Sequence, residues 1–378
     1  MVDDKISTSY FAGAIDDGRW AHCPVTLPGL PEAKFKGTVE EFKSAYPQIK
    51  HHMINYVKVC PACGKNCGNS VIACNNCATS LSGEPLTVTP NALMAFVYGI
   101  KAFPTSIRFQ DENFLVYDDI MQTTLIHFNA IPTHVYVPDF RFLFQDPQRG
   151  LGMIESLFRV SVSAACRMMI NKPFVNQYFS ASAVEEISNT SVENFVKKHV
   201  LCGFNFPPSQ CQLHLQFVLP PYTPYHAVLF ANGRHTDLNR FFPFKSIVMY
   251  LHELKTRGET IRMSEIEGLS AADLVGYLSH RTGVDYNQIF HESVETTKKY
   301  SQLLSNWKSD DFNYLVTTGK NTVSSLRGGE QNICIDPIEI QKKDRNIIQS
   351  YGKGMGLQFY VFAKDPGTVP DWNSHVLP

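Results

Sequence analysis

The sequence predicts an α+β fold: an antiparallel sheet with helices, preceded by a four-cysteine ribbon and followed by a mainly helical region. Three observations carry this reading. Short runs with β-type composition flank one long stretch of helical periodicity, an order suited to a helix laid on an antiparallel sheet. Two Cys-x-x-Cys pairs, Cys60/Cys63 and Cys74/Cys77, stand ten residues apart. Beyond residue 243 the apolar residues recur mostly at helical spacing. The units expected are 1–86, 87–243 and 244–378.

Residues 1–86 read as irregular, rich in Gly and Pro, with one short helical stretch near Val39–Tyr46. Within them, paired Cys-x-x-Cys knuckles place four thiolates around one tetrahedral Zn²⁺, and Gly64 allows the tight turn after the first knuckle. Cys67, His51 and His52 are competing ligands. A closed four-thiolate site leaves no position for a reacting group, so the metal is expected to be structural. An RNA or protein partner on the ribbon is the alternative role, although the ribbon holds few basic or aromatic residues.

A helix is expected over Asn91–Lys101, then strands at Ser106–Gln110 and Asn113–Tyr117 joined by Asp111-Glu112, and a third strand at Leu125–Ile131. Leu151, Ile154, Leu157, Phe158, Val160, Ala164, Ala165 and Met168 mark a long helix over Gln148–Ile170, with Lys172-Pro173 ending it. Val192–Val200 reads as a second helix. Polar and apolar residues then alternate through Gln212-Leu213-His214-Leu215-Gln216-Phe217. In a strand this turns Gln212, His214 and Gln216 to one face. Pro207-Pro208 and Pro220-Pro221 bound the run, so a short strand is expected. Ala227–Phe230 reads as a further strand, Phe244–Lys255, Ala271–Arg281 (Ser270 as N-cap), Tyr286–Trp307 and Ile338–Gln349 as helices, and Leu357–Ala363 as a late strand. Gly352-Lys353-Gly354-Met355-Gly356 lacks the spacing of a phosphate loop and reads as a turn.

The 378 residues suffice for a sizeable core, and 44% hydrophobic with 12% aromatic residues describes a folded chain. A net charge of −1 gives no overall pull toward nucleic acid or acidic membranes. No run is long and apolar enough to cross a bilayer, and the acidic start lacks a signal peptide. Five of the ten Cys lie between Cys60 and Cys77 and the rest are scattered, which reads as one metal site plus reduced thiols in a cytoplasmic setting.

The stretch Gly203-Phe204-Asn205-Phe206-Pro207-Pro208-Ser209-Gln210-Cys211-Gln212-Leu213-His214-Leu215-Gln216 resembles the signature of the histidine triad (HIT) superfamily. That pattern is His, apolar, His, apolar, His or Gln, with a Ser five residues before the central His. His214 matches the central position, Ser209 the Ser and Gln216 the third position. Gln212 stands where the first His is usual. The Gly-Phe-x-x-Pro-Pro-Ser lead-in is similar to the scavenger decapping and aprataxin branches. The Gln after the central His is similar to the transferase branch of galactose-1-phosphate uridylyltransferases and dinucleoside polyphosphate phosphorylases. Asp119-Ile120, His127 and Pro132 match the family's nucleotide-pocket spacing.

The resemblance implies that Asp119 and Ile120 hold ribose and base, that His127 lies near the phosphates, and that His214 attacks the α-phosphate to give a nucleotidyl-histidine. Ser209, Gln212 and Gln216 are the flanking donors. A Gln amide donates a hydrogen bond but releases no proton, so poor leaving groups should react slowly, and transfer or phosphorolysis at the α-phosphate of a dinucleoside polyphosphate, nucleotide sugar or cap-like nucleotide is favoured over hydrolysis of the same bond. The implied substrate is a nucleotide or dinucleotide, and a homodimer is expected because only one such motif is present. A nucleotide- or RNA-binding module with a decayed site is the alternative.

Overall fold

The computed structural model describes residues 38–47, 52–69, 71–74, 79–98, 107–111, 113–119, 123–133, 135–170, 172, 175–176, 179–222, 240–300, 315–318 and 322–325. Helix α1 (Val39–Ala45) begins where Thr38 and Glu41 cap each other's backbone N–H groups. Strands β1 (Ile54–Val59), β2 (Asn66–Gly68) and β3 (Leu86–Pro90) follow and form an antiparallel sheet in the order β2-β1-β3. The expectation of an irregular segment with a single helix is corrected here. The partners of β1 are short segments brought to it by the knuckle turn, which periodicity within any one strand does not announce.

After helix α2 (Ala92–Val97), strands β4 (Ile107–Gln110), β5 (Phe114–Asp118) and β6 (Thr124–Pro132) form a meander. The β4–β5 turn is fixed by Asp111, whose carboxylate accepts from the N–H groups of Asn113 (2.8 Å) and Phe114 (2.6 Å). A 3₁₀ turn (Phe140–Gln145) leads into helix α3 (Pro147–Met169), N-capped by Asp146. Helices α4 (Ala181–Asn189) and α5 (Val192–His199) follow. Strands β7 (Leu201–Asn205), β8 (Leu215–Tyr222) and β9 (Phe241–Pro243) complete a six-stranded antiparallel sheet ordered β4-β5-β6-β8-β7-β9.

Strand β8 starts later and runs longer than its flanking prolines predict. Pro220 and Pro221 lie inside it, in the stretch where the register with β6 shifts. A proline is tolerated at such an irregularity because no ladder N–H is required of it.

One sheet face packs on α3. Val116, Phe128, Leu215 and Phe217 meet Ile154, Leu157 and Ala165 in a single core cluster, each fully buried large side chain contributing about 1.5–3 kcal/mol. Helices α6 (Phe244–Arg257), α7 (Met263–Ile266), α8 (Ala271–Thr282) and α9 (Tyr286–Lys298) place Tyr250, Leu251, Leu254, Leu278 and Phe290 in the same cluster. The other face is covered at one end. There Leu115, Tyr117 and Ile131 pack against Phe42, Met53, Leu93, Met94 and Tyr98. Strands β10 (Leu315–Thr318) and β11 (Thr322–Ser325) pair as a hairpin. The fold is thus α+β with an antiparallel sheet, and the cysteine cluster precedes that sheet in the chain. No described helix is long and apolar enough to cross a membrane.

Ile120, Cys77, His51, the strands expected at Ala227–Phe230 and Leu357–Ala363, the helix at Ile338–Gln349, the turn at Gly352–Gly356 and the extension of α9 to Trp307 lie outside the described residues.

Candidate active site and metal centre

His214 sits one residue before β8, between Leu213 and Leu215, both buried in the core. Those neighbours send its ring to the opposite sheet face, where it is half-buried. The Leu213 N–H donates to Val137 O at 2.5 Å and fixes this turn of the chain. His214 Nδ1 lies 2.7 Å from Gln212 O. A carbonyl only accepts, so Nδ1 carries the proton and Nε2 keeps its lone pair. Burial lowers the pKa of the ring; the Gln212 carbonyl and the charge of Asp119 oppose that shift.

Asp119 follows β5, and its N–H donates to His127 O at 2.9 Å. Its Oδ2 accepts from Asn129 Nδ2 at 2.6 Å and lies 3.7 Å from His127 Nε2. His127 Nδ1 in turn accepts from the Thr123 N–H at 3.1 Å, which leaves the Nε2 proton directed at the carboxylate side. The next residue back, Asp118, forms a fully buried bidentate pair with Arg108 (2.8 and 2.7 Å), which anchors the end of β5. Asn129 is aligned with Gln216 across β6 and β8, and Gln216 with Gly203 across β8 and β7. Gln216 is half-buried and its amide makes no hydrogen bond among the described residues.

Asp119, His127 and Asn129 are thus in contact, Gln216 pairs with Asn129 across the sheet, and His214 lies two residues before Gln216. Sequence reasoning passed over Asn129 and Thr123. Asn129 is two residues from His127 on an alternating strand, so the same-face rule was a usable signal.

Gln212 is placed differently from its neighbours. Its amide nitrogen donates to Pro132 O (2.7 Å) and Val135 O (3.0 Å), and its Oε1 accepts from the Val137 N–H (3.0 Å). The side chain is fully buried and spans the backbone segment after β6. Ser209 is half-buried in the loop Pro207–Cys211, and its hydroxyl makes no hydrogen bond among the described residues.

In the ribbon, Cys60, Cys63 and Cys74 are buried with their sulfurs all within 4.8 Å of one another. Gly64, at φ +70°, makes the turn that returns its N–H to Cys60 O (2.8 Å). The Cys63–Cys74 sulfur separation is 3.6 Å, near the roughly 3.8 Å edge of a tetrahedron built on Zn–S bonds of about 2.3 Å. Cys67 approaches Cys74 at 3.9 Å but does not belong to the mutual trio. This cluster of thiols could hold a metal ion.

No protein-family model matches the chain, and no curated protein matches it. Among solved structures the chain is similar to "Hnt3 in complex with DNA and guanosine", at 11% identity and a TM-score of 0.29, over 54% of this chain and 98% of that one. A likeness of that extent carries no functional argument, so the function is argued from the residues of the site.

Proposed function

We propose that this chain transfers a nucleotidyl group through His214. The observation that carries the reading is the 2.7 Å contact from His214 Nδ1 to Gln212 O, beside the Asp119–His127–Asn129 cluster. An imidazole held in that tautomer, and kept neutral by burial, directs a lone pair outward from Nε2. In the first step Nε2 bonds to the α-phosphorus of a nucleoside di- or polyphosphate while the bond to the bridging oxygen breaks. The leaving phosphate or nucleotide takes that electron pair. In the second step an oxygen of inorganic phosphate or water attacks the same phosphorus, the P–N electron pair returns to Nε2, and water, when it is the attacker, releases its proton to solvent.

Charge grows on the phosphoryl oxygens in both steps. Gln216, with its amide uncommitted, and Ser209 are the side chains assigned to donate there, each worth on the order of 3 kcal/mol. Asp119 and Ile120 hold the nucleoside, and His127 lies at the phosphate side. Gln212, whose amide is spent on backbone groups, supports the site by position. A Gln at that flank releases no proton, which favours leaving groups already acidic as phosphates and an acceptor such as inorganic phosphate. A Zn²⁺ held by Cys60, Cys63, Cys74 and Cys77 staples the ribbon and takes no part in the chemistry.

Incubation with α-phosphorus-labelled ATP and dinucleoside polyphosphates tests the reading. Acid-labile label should appear on the chain and vanish in His214→Ala; label retained in that variant overturns the assignment. The commitment of Gln212 to backbone favours one second reading, a nucleotide-binding module without turnover. It would show saturable nucleotide binding with no labelled chain.

A further inference from the structure

The loop that leads into His214 is held from one side by the metal ribbon. Asn55, fully buried on β1, accepts at Oδ1 from the Cys211 N–H (2.8 Å). Its Nδ2 donates to Gln210 Oε1 and to Pro90 O, both at 3.1 Å. Gln210 Oε1 also accepts from the Ala92 N–H at 2.8 Å. Asn91, fully buried between β3 and α2, donates from Nδ2 to Cys211 O at 3.0 Å. Both backbone polar groups of Cys211 are therefore taken by side-chain amides of the ribbon segment. On β2, a Cβ added to Gly68 would lie 2.6 Å from Pro207 O and 2.7 Å from Pro207 Cγ, so the ribbon backbone is pressed against the other end of the same loop.

These contacts end one residue short of the chemistry. Cys211 precedes Gln212, and the Gln212 carbonyl accepts from His214 Nδ1. The metal cluster lies on the same framework: β1 carries Asn55 and ends at Val59, the residue before Cys60, and Cys67 precedes Gly68 on β2.

We infer that the metal ribbon is a positioning element of the His214 site, and that Asn55 and Asn91 are positioning residues acting on the His214 ring through Cys211 and the Gln212 carbonyl. The assignment rests on the nucleotidyl-transfer reading only for its effect on rate; its effect on the ring is independent of turnover. Asn55→Leu keeps the branching and the number of side-chain heavy atoms and leaves the Cys211 N–H without the Asn55 acceptor.

The full-length variant is compared with wild type by metal content, melting temperature and the ¹⁵N shifts of the His214 ring at a pH where the ring is neutral. The expected result is a folded chain with unchanged metal content and a ring that moves from the Nδ1–H tautomer to a mixture. With α-phosphorus-labelled ATP as probe, Asn55→Leu lowers the rate of labelling at least about tenfold with the half-saturating concentration little changed, as expected for a misplaced nucleophile. Gly68→Ala, which displaces Pro207 from the opposite side, gives the same pattern and decides the matter if Asn55→Leu does not fold. An unchanged ring tautomer in a folded variant overturns the inference. If wild type labels with no probe, the nucleotidyl reading fails while the tautomer comparison still decides this one.

Discussion

The reactivity of His214 depends on which ring nitrogen holds the proton, and one backbone carbonyl at 2.7 Å decides it. Burial pulls the pKa of the ring below its ordinary value of 6.5. Between the lowered value and 6.5 the unfolded chain binds the proton more tightly than the folded one, so falling pH through that window costs stability and protonates the nucleophile last. The rate of labelling should therefore hold steady from neutral pH to below 6.5 before its acid limb begins; an acid limb centred above 6.5 would contradict this. The Arg108–Asp118 pair makes a second residue-level prediction. Both side chains are completely buried, so Arg108→Met leaves a carboxylate without its partner. Loss of about 3–5 kcal/mol in denaturant-monitored unfolding is expected.

At the scale of elements, close backbone approach and metal ligation set the constraints. Gly203 lies on β7 opposite Pro243, and a Cβ there would sit 2.2 Å from Phe242 O. Gly203→Ala must push β9 off β7, with an expected loss of about 1–3 kcal/mol read as a lower unfolding midpoint. The glycine of the motif lead-in thus has a packing reason that is separate from nucleotide chemistry. In the ribbon, Cys74→Ser removes a member of the buried trio, whereas Cys67→Ser removes a thiol that lies outside it. Metal analysis of the purified chains should show zinc lost in the first and retained in the second; retention in both would move the site elsewhere.

For the whole molecule, the decisive fact is that one core cluster runs from the sheet through α3 to the C-terminal helices. Tyr286 even donates its hydroxyl to Phe241 O (2.8 Å), tying α9 to strand β9. Glu186 holds the opposite, C-terminal end of that helix, its carboxylate kept well below the usual range by hydrogen bonds from Lys198, Lys299, Tyr300 and His199. A chain ending at Pro243 would expose Phe242, Phe204 and the apolar flank of α3. It should lack a cooperative unfolding transition by calorimetry; a sharp transition in that truncated chain would show that the sheet folds without the helices.

Much of this architecture was legible because it is local. The helices α1, α3, α6 and α8 are announced by their apolar spacing, α8 also by its Ser270 cap, and β4 to β6 by composition and the Asp111 turn. The knuckle spacing likewise announced the thiol cluster. Pairing between distant segments was not legible. Strands β3, β7 and β9 are short strands whose backbone groups are satisfied by partners far along the chain. The candidate site divides along the same line. A histidine between two leucines that pack in the core must turn away from it, because successive side chains of an extended chain alternate, and that much is local. Only the tertiary structure decided that Gln212 points into backbone, that Asn129 joins Asp119, and that Asn55 and Asn91 grip Cys211. Each of those is a hydrogen bond to a residue ten or more positions away, and which distant groups meet is set by packing of the whole chain.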